Sequence, residues 1–493
     1  MNKCKASLCA LLVVFGVAHF VSASAQTCAT PGPNDLYVDK DNPGASDSNN
    51  GHYTSAGGSG PFKTIQHLVD VIQPGQCGFV RQSKTPYYEN TYRIGDYSGV
   101  TFTHSGTSST NQIVVAGYPG EHPVIDQQAA TAAGGSAGLS GFVIYGGVSY
   151  ITIRNFEVRD TTGSGIVSDA DTTAPTSYIT IDGVHVDSLP GTGNPNNRGG
   201  VRLDFCHYCV VQNSVINNIG SDFGSDGVNA FQPGACIIQN NLIYNVYLGV
   251  QLKQADEGHL DANIVRNNIF VNIGMAVYKM QVQGAANLAA PHNAQFYNNV
   301  VYNARQGVWA DLSEAGEQAT SLQIYNNTFI NTGELAQLSN FSGVQIYNNI
   351  YSGWQNTWSS SQFFIFSTYA PGPWQNSISY FNHNLYDGMS AQWQLEMYNN
   401  PKTYSGLASW RTATGDVTDP DVSSSMSAPL FVSNSVSATS LEAADVSGLA
   451  LSGASPALNM GRSGGPIGAV RPGVVVGPQL GPEPDPPSQL SVQ

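Results

Sequence analysis

Charge is scarce in this sequence. Only 11% of its 493 residues are charged, with 19 Lys and Arg against 34 Asp and Glu. A formal net charge of −15 excludes the broad basic surface that nucleic acid or an anionic membrane needs, so neither is expected as a partner. Long apolar runs are missing after the first 25 residues, so no later stretch is expected to span a bilayer. Low charge with abundant Gly, Asn, Ser and Thr also argues against a helical protein. Cysteine is sparse, at seven residues.

A short unit recurs instead: an apolar residue, any residue, Asn, often a second Asn, then a brief alternating run. Its third position falls at Asn155, Gly183, Asn213, Asn240, Asn267, Asn298, Asn326 and Asn348. The steps between them are 28, 30, 27, 27, 31, 28 and 22 residues. Such a period marks stacked supersecondary units that cannot bury their apolar faces alone. β-branched and aromatic content favours three short strands per unit. Asn tolerates the left-handed backbone region and hydrogen-bonds locally, and stacked Asn amides bond one another in ladders. The expected fold is all-β, a right-handed parallel β-helix.

Residues 1–25 read as a signal peptide. Lys3 and Lys5 precede the apolar run Leu8 to Val21, and Ser22-Ala23-Ser24-Ala25 supplies a small-residue cleavage site before Gln26. A secreted protein, extracellular or periplasmic, is expected. Residues 26–111 read as an N-terminal cap with the first coils and 112–386 as the β-helix core. Residues 387–471 read as a C-terminal finishing segment, and the Pro/Gly-rich 472–493 as a disordered tail.

Two cysteines lie in the signal, leaving Cys28, Cys77, Cys206, Cys209 and Cys236. An oxidising compartment permits disulfides. Cys28 and Cys77 share the cap and are the first expected pair. Cys209 and Cys236 hold one repeat position in successive coils, about 4.8 Å apart if stacked, within the Cα range of a disulfide. Cys206 is then the odd one. Cys206-His207-Tyr208-Cys209 looks like half of a zinc site, but no second pair with that spacing exists.

In the cap, Leu36-Tyr37-Val38 precedes a polar Gly/Ser/Asn loop and Pro61-Phe62-Lys63-Thr64-Ile65-Gln66. A helix follows with Ile65, Leu68, Val69 and Ile72 on one face, ended by Pro74-Gly75. Then come the strand from Cys77 to Arg81 and Tyr87-Tyr88-Glu89. This order resembles the pectate-lyase-like β-helix superfamily, which implies a helix-capped solenoid and carbohydrate chemistry.

Each coil carries one alternating strand before its longest loop. If the first apolar residue faces inward, the outward residues are Arg202 and Asp204, Asn229 and Phe231, Gln251 and Lys253, Tyr278 and Met280, and Trp309 and Asp311 in successive coils. Charge and aromatic rings gather on this sheet, and the long loops after it would wall it into a groove suited to an extended polymer. Asn229 and Gln251 are polar candidates on its floor. Phe231, Tyr278 and Trp309 offer flat faces to sugar rings. Tyr278 also qualifies as a proton donor, and Arg202 as a charge near the substrate.

Lys253 is the sharpest candidate. Cleavage of a uronate by β-elimination needs a neutralised carboxylate, a base for the neighbouring ring proton and a proton for the leaving oxygen. A lysine becomes a base when desolvation or positive neighbours lower its pKa. Val250-Gln251-Leu252-Lys253 followed by Asn263-Ile264-Val265-Arg266-Asn267-Asn268-Ile269-Phe270 resembles the alginate lyase and chondroitinase B family. The resemblance implies Lys253 as base, Lys279 at the family's second basic position, that of the acid, and calcium nearby. The rival set is acidic. Asp204 and Asp226, with Asp222, Asp256, Glu257 and Asp311 near in sequence, would serve as calcium ligands or as the paired carboxylates of a glycoside hydrolase. The expected function is a monomeric polysaccharide lyase acting on an acidic glycan such as alginate or pectate. A hydrolase on the same groove and a non-catalytic glycan-binding β-helix are the alternatives.

Overall fold

The computed structural model describes residues 28–478 apart from 90–92, 95–96, 129–137, 190–197, 221–224, 255–261, 283–289, 313–318, 355–363, 368–377, 388–391, 398–399, 406, 414–424, 426 and 434–445. The signal segment 1–25 lies outside the described residues, as do Asp222, Asp256 and Glu257.

Short strands follow one another coil upon coil in parallel register. One sheet runs from Leu36–Val38 through Cys77–Val80, Ile113–Gly117, Ser149–Arg154 and Thr176–Asp182 onward to Ile378–Asn382. A second, larger sheet holds the alternating strands and folds around the other side. In the Val211, Ile238, Val265, Phe296, Ile324, Ile346 series each residue is the register partner of the next. All six side chains belong to one continuous apolar core. The fold is a parallel β-helix.

The Asn register explains its cross-section. Asn155, Asn213, Asn240, Asn267, Asn298, Asn326 and Asn348 all have φ between 52° and 58°, and Gly183 has φ 64°. The left-handed region costs Asn little, so the chain turns the same corner in every coil. The ladder lies one residue later. Asn241 donates to Asn268 (3.0 Å), Asn268 to Asn299 (3.1 Å), Asn299 to Asn327 (3.1 Å), Asn327 to Asn349 (3.0 Å) and Asn349 to Asn384 (3.1 Å). These amides are fully buried. Two tasks that looked like the work of one Asn are thus split between neighbours: the first bends the backbone and the second stitches the coils.

The helix Ile65–Val71 covers the open end of the solenoid. Ile65, Leu68, Val69 and Ile72 are all 0% exposed, as the pattern predicts. It presses so closely that a Cβ on Gly78 would lie 2.8 Å from Leu68 Cδ2. Its first backbone N–H groups point into the protein and need acceptors. Glu89 supplies them: its carboxylate accepts from Ile65 N (2.8 Å) and Gln66 N (3.3 Å). Burial raises the Glu89 carboxyl to about 7 against the pull of those two bonds. The raised value means that the folded chain holds the proton more tightly than the unfolded one. Its contribution is therefore complete below the ordinary value of 4.5 and fades as pH rises through about 7. Glu89→Ala is expected to lower stability by about 2–3 kcal/mol by orphaning buried donors. Glu89→Gln should flatten the loss of stability between pH 5 and pH 8, both read by denaturant titration.

After the last coil the chain returns along the outside. Leu449, Ala469 and Val476 pack on Leu242, Ile269, Val271 and Val300. Gly477 N donates to Asn267 O (2.8 Å) and Ala469 N to Thr328 Oγ1 (2.9 Å). The first seven residues of the segment expected to be disordered, 472–478, are therefore part of this packed cover.

The cap pair Cys28–Cys77 is bonded. The second expectation needs correction: Cys206 bonds Cys209, and Cys236 is a buried free thiol. Cys209 and Cys236 do sit in adjoining rungs, since Ile237 N donates to Cys209 O. In-register parallel strands hold their Cβ atoms about a strand spacing apart, near 4.8 Å. A disulfide needs Cβ atoms about 3.8 Å apart. Burial raises the Cys236 thiol to about 12, which keeps it protonated.

Candidate functional site

The alternating strands Arg198–Asp204, Ser225–Phe231, Leu248–Lys253, Ile269–Gln281, Val300–Asp311 and Thr328–Ser339 stack in that order. Their inward residues, among them Val201, Leu203, Val228, Ala230, Val250 and Leu252, fill the core. Alternation then fixes the outward set. One outward column is Arg202, Asn229, Gln251, Lys279, Trp309 and Gln337. The column beside it is Asp204, Phe231, Lys253, Gln281 and Asp311.

One coil departs from the sequence-based frame. Tyr278 and Met280 face inward, both 0% exposed, and Tyr278 stacks on Phe296 with ring centroids 5.4 Å apart. Lys279 faces outward in their place. The cause is one extra residue at the corner. Val246 pairs with Ile273 and Val250 with Tyr278, so four steps on one strand answer five on the next. A one-residue slip turns every following side chain over. Tyr278 is therefore removed as proton donor and as sugar platform, and Lys279 enters the outward face.

The charged groups form one cluster. Arg202 holds both oxygens of Asp204, Nη2 to Oδ2 at 2.6 Å and Nε to Oδ1 at 3.0 Å. Its Nη1 donates to the Tyr97 hydroxyl at 2.8 Å. Tyr97, 105 residues away in sequence, carries no signal that marks it for this role. Asp226, 0% exposed, accepts from Asn229 through Oδ2, while its Oδ1 has no hydrogen-bond partner. Asn229 also donates to Gln251 (3.2 Å), and Gln251 donates to Gln281 (3.2 Å). Asn229 and Gln251 are each 1% exposed, so they form the floor beneath the site.

Burial raises the carboxyls of Asp204 and Asp226, and the nearby cations pull both back down. Burial lowers the Lys253 ammonium and Arg202 lowers it further, against Asp226 and Asp204. Lys279 is pushed down to about 8, chiefly by burial, with Lys253 adding to it. The two lysines differ in access. Lys253 is half-buried, whereas Lys279 is 0% exposed and lies under the Trp309 ring, 4.2 Å from its centroid. Phe231 packs edge-on against Phe205 at 5.2 Å. Phe231 and Trp309 are both half-buried.

Calcium takes six to eight oxygen ligands, and Asp204 and Asp226, the first two of its expected ligands and both among the described residues, do not fit it. Asp204 is spent on Arg202, Asp226 is bound by Asn229, and three side-chain cations surround that one remaining carboxylate. No group of three or more His, Cys, Asp or Glu side chains is placed to hold a metal among the described residues.

Residues 140–363 match the family model described as a right-handed β-helix region. None of the curated proteins compared matches the chain. Among solved structures, the pectate lyase Pel9A is similar over 91% of this chain and 98% of its own, with 17% identity and a TM-score of 0.51. A rhamnogalacturonan lyase covers 67% of this chain and 84% of its own at 16% identity and a TM-score of 0.42. A surface adhesin of Streptococcus pneumoniae, PfbA, covers 68% and 87% at 12% identity and a TM-score of 0.41. The chain is a right-handed parallel β-helix, similar in fold to the pectate lyase Pel9A.

Proposed function

We propose that this protein is a secreted polysaccharide lyase that cleaves a uronate-containing glycan by β-elimination over the Lys253 cluster. The observation that carries the reading is Lys253 itself. It is a half-buried outward lysine, with a lowered pKa, in a cluster with Arg202 and Lys279. Lys253 takes the ring proton next to the uronate carboxylate. The electron pair forms the new carbon–carbon double bond, and the bond to the leaving glycosidic oxygen breaks. That oxygen receives its proton from the Lys253 ammonium or from water, because Tyr278 lies in the core. Arg202 and Lys279 offset the charge that builds on the carboxylate side as the proton leaves.

A hydrolase needs two working carboxylates. Asp204 is neutralised by Arg202 and Asp226 is wholly buried, which favours the lyase. Secretion agrees with the two disulfides and with the signal segment. No helix among the described residues is long and apolar enough to cross a membrane.

The test is a panel of acidic polysaccharides followed at the ultraviolet absorbance of unsaturated uronate, with and without chelator. A lyase gives rising absorbance, and the misfit to calcium predicts that chelator leaves the rate within about twofold. New reducing ends without absorbance would replace this reading with hydrolysis. Binding without either product would replace it with a glycan-binding module.

A further inference from the structure

Among the described residues of the two outward columns, the cations are confined to a short window. In the two outward columns the basic residues are Arg202, Lys253 and Lys279. From Arg202 to Lys279 is three rungs, about 14 Å at one strand spacing each. Beyond Lys279 the next rungs carry Trp309 and Gln337 in one column and Asp311 in the other. Glu334 lies on the Gln337 strand and pairs with Gln306 one rung back. The Gln306 amide donates to both Glu334 (2.7 Å) and Gln337 (3.1 Å), so this part of the floor is tied together. Arg305 is the cation there, and it offsets Glu334. On the other side of the window, the column continues as Val167 and Val143, with Asp169 and Tyr145 beside them.

We propose, building on the lyase reading, that the substrate is an acidic heteropolysaccharide whose uronates are separated by uncharged sugars, and not a homopolyuronate. A pyranose repeat along an extended chain is comparable with one rung. A homopolyuronate lying along the groove would therefore present a carboxylate to nearly every rung. Within the window such a charge meets Arg202 or Lys253, with the buried Lys279 ammonium behind them. Beyond it, the same charge meets the half-buried Asp311 on one side and Asp169 on the other, above the buried Glu334 and the buried apolar pair Val167 and Val143. Like charges facing each other across a binding surface oppose the wrong partner and set specificity. A neutral sugar meets what it needs on those rungs: the Trp309 ring as a stacking face and Gln337 as an amide partner. The net charge of −15 acts in the same sense, repelling dense polyanions from the whole surface.

The experiment compares the wild-type protein on polygalacturonate and alginate, which carry a uronate at every sugar, with an alternating galacturonate–rhamnose backbone and with hyaluronan. Binding of the same four polymers to Lys253→Ala is measured by affinity electrophoresis. The expected result is a rate on one alternating polymer at least tenfold above both homopolyuronates, with the same order in binding. The double variant Asp169→Asn, Asp311→Asn should raise homopolyuronate cleavage severalfold and narrow that gap. Equal or faster cleavage of a homopolyuronate, or a gap that the double variant leaves unchanged, overturns the inference while the lyase reading stands. Preferential binding of an alternating polymer with no unsaturated product from any of the four overturns the lyase reading and leaves the charge map. Neither binding nor cleavage overturns both.

Discussion

Replacing Lys253 with Ala is expected to lower the rate of unsaturated-uronate release by about 10²-fold or more, the usual scale for loss of a general base. Stability should change by no more than about 0.5 kcal/mol, because the side chain is half-buried on the outward face of its strand. Lys253→Arg separates base from charge. It keeps the cation among Asp204, Asp226 and the other basic groups, yet guanidinium stays protonated at any working pH. It should therefore be nearly as inactive as Lys253→Ala while binding substrate better. The wild-type rate should rise with pH, because only the neutral amine accepts a proton. Burial and Arg202 shift that rise below the ordinary lysine value of 10.5. Full activity in Lys253→Ala would remove Lys253 as base, and loss of activity in Asp204→Asn or Asp226→Asn would then move the chemistry to the carboxylates.

The fold was legible because one residue type bears two physical loads at a fixed spacing. Asn at the corner reports the left-handed backbone, and its neighbour reports the amide ladder. Neither could drift without unpicking a coil, so the period survives in the sequence. The helix cap was legible for a similar reason: its apolar face repeats at helical spacing over Ile65, Leu68, Val69 and Ile72, all buried. The site was legible only in part. Arg202, Asp204 and Lys253 fall on the outward face where alternation put them, because Val201 and Val250 do face inward in those strands, and the corner before Val250 takes two steps, from Val246 to Leu248. The corner before Val277 has one residue more, and a period-two pattern holds no memory of a preceding insertion. Lys279 and Tyr278 therefore exchanged faces. The expected pairing of Cys209 with Cys236 failed for a different reason. Stacking decides which cysteines are neighbours, but Cβ separation decides which can bond. Tyr97 and Glu334 reach the site through register across distant coils, and no local spacing encodes that.

Asn299→Ala is expected to cost more stability than any groove substitution, about 4 kcal/mol. Each buried donor or acceptor left without a partner costs about 1–3 kcal/mol, and Asn299 serves four. Its Nδ2 donates to Val265 O (3.0 Å) and to Asn327 Oδ1 (3.1 Å). Its Oδ1 accepts from Asn268 N (3.0 Å) and from Asn268 Nδ2 (3.1 Å). Alanine leaves the Asn268 N–H, the Val265 carbonyl and the facing ends of two amides in a space that is closed to solvent. Removing one rung also cuts the ladder into two shorter pieces, so any mutual polarisation along it is lost as well. Asn298→Gly provides the contrast. Asn298 carries the corner at φ 55°, which glycine adopts without strain. Its side chain accepts one hydrogen bond from Arg471 (2.8 Å) at a partly buried site. A loss of about 1 kcal/mol is expected there. Denaturant titration of the two variants checks the order. If Asn299→Ala proved no more damaging than Asn298→Gly, the internal ladder would not be what binds coil to coil, and stability would rest on the stacked apolar core alone.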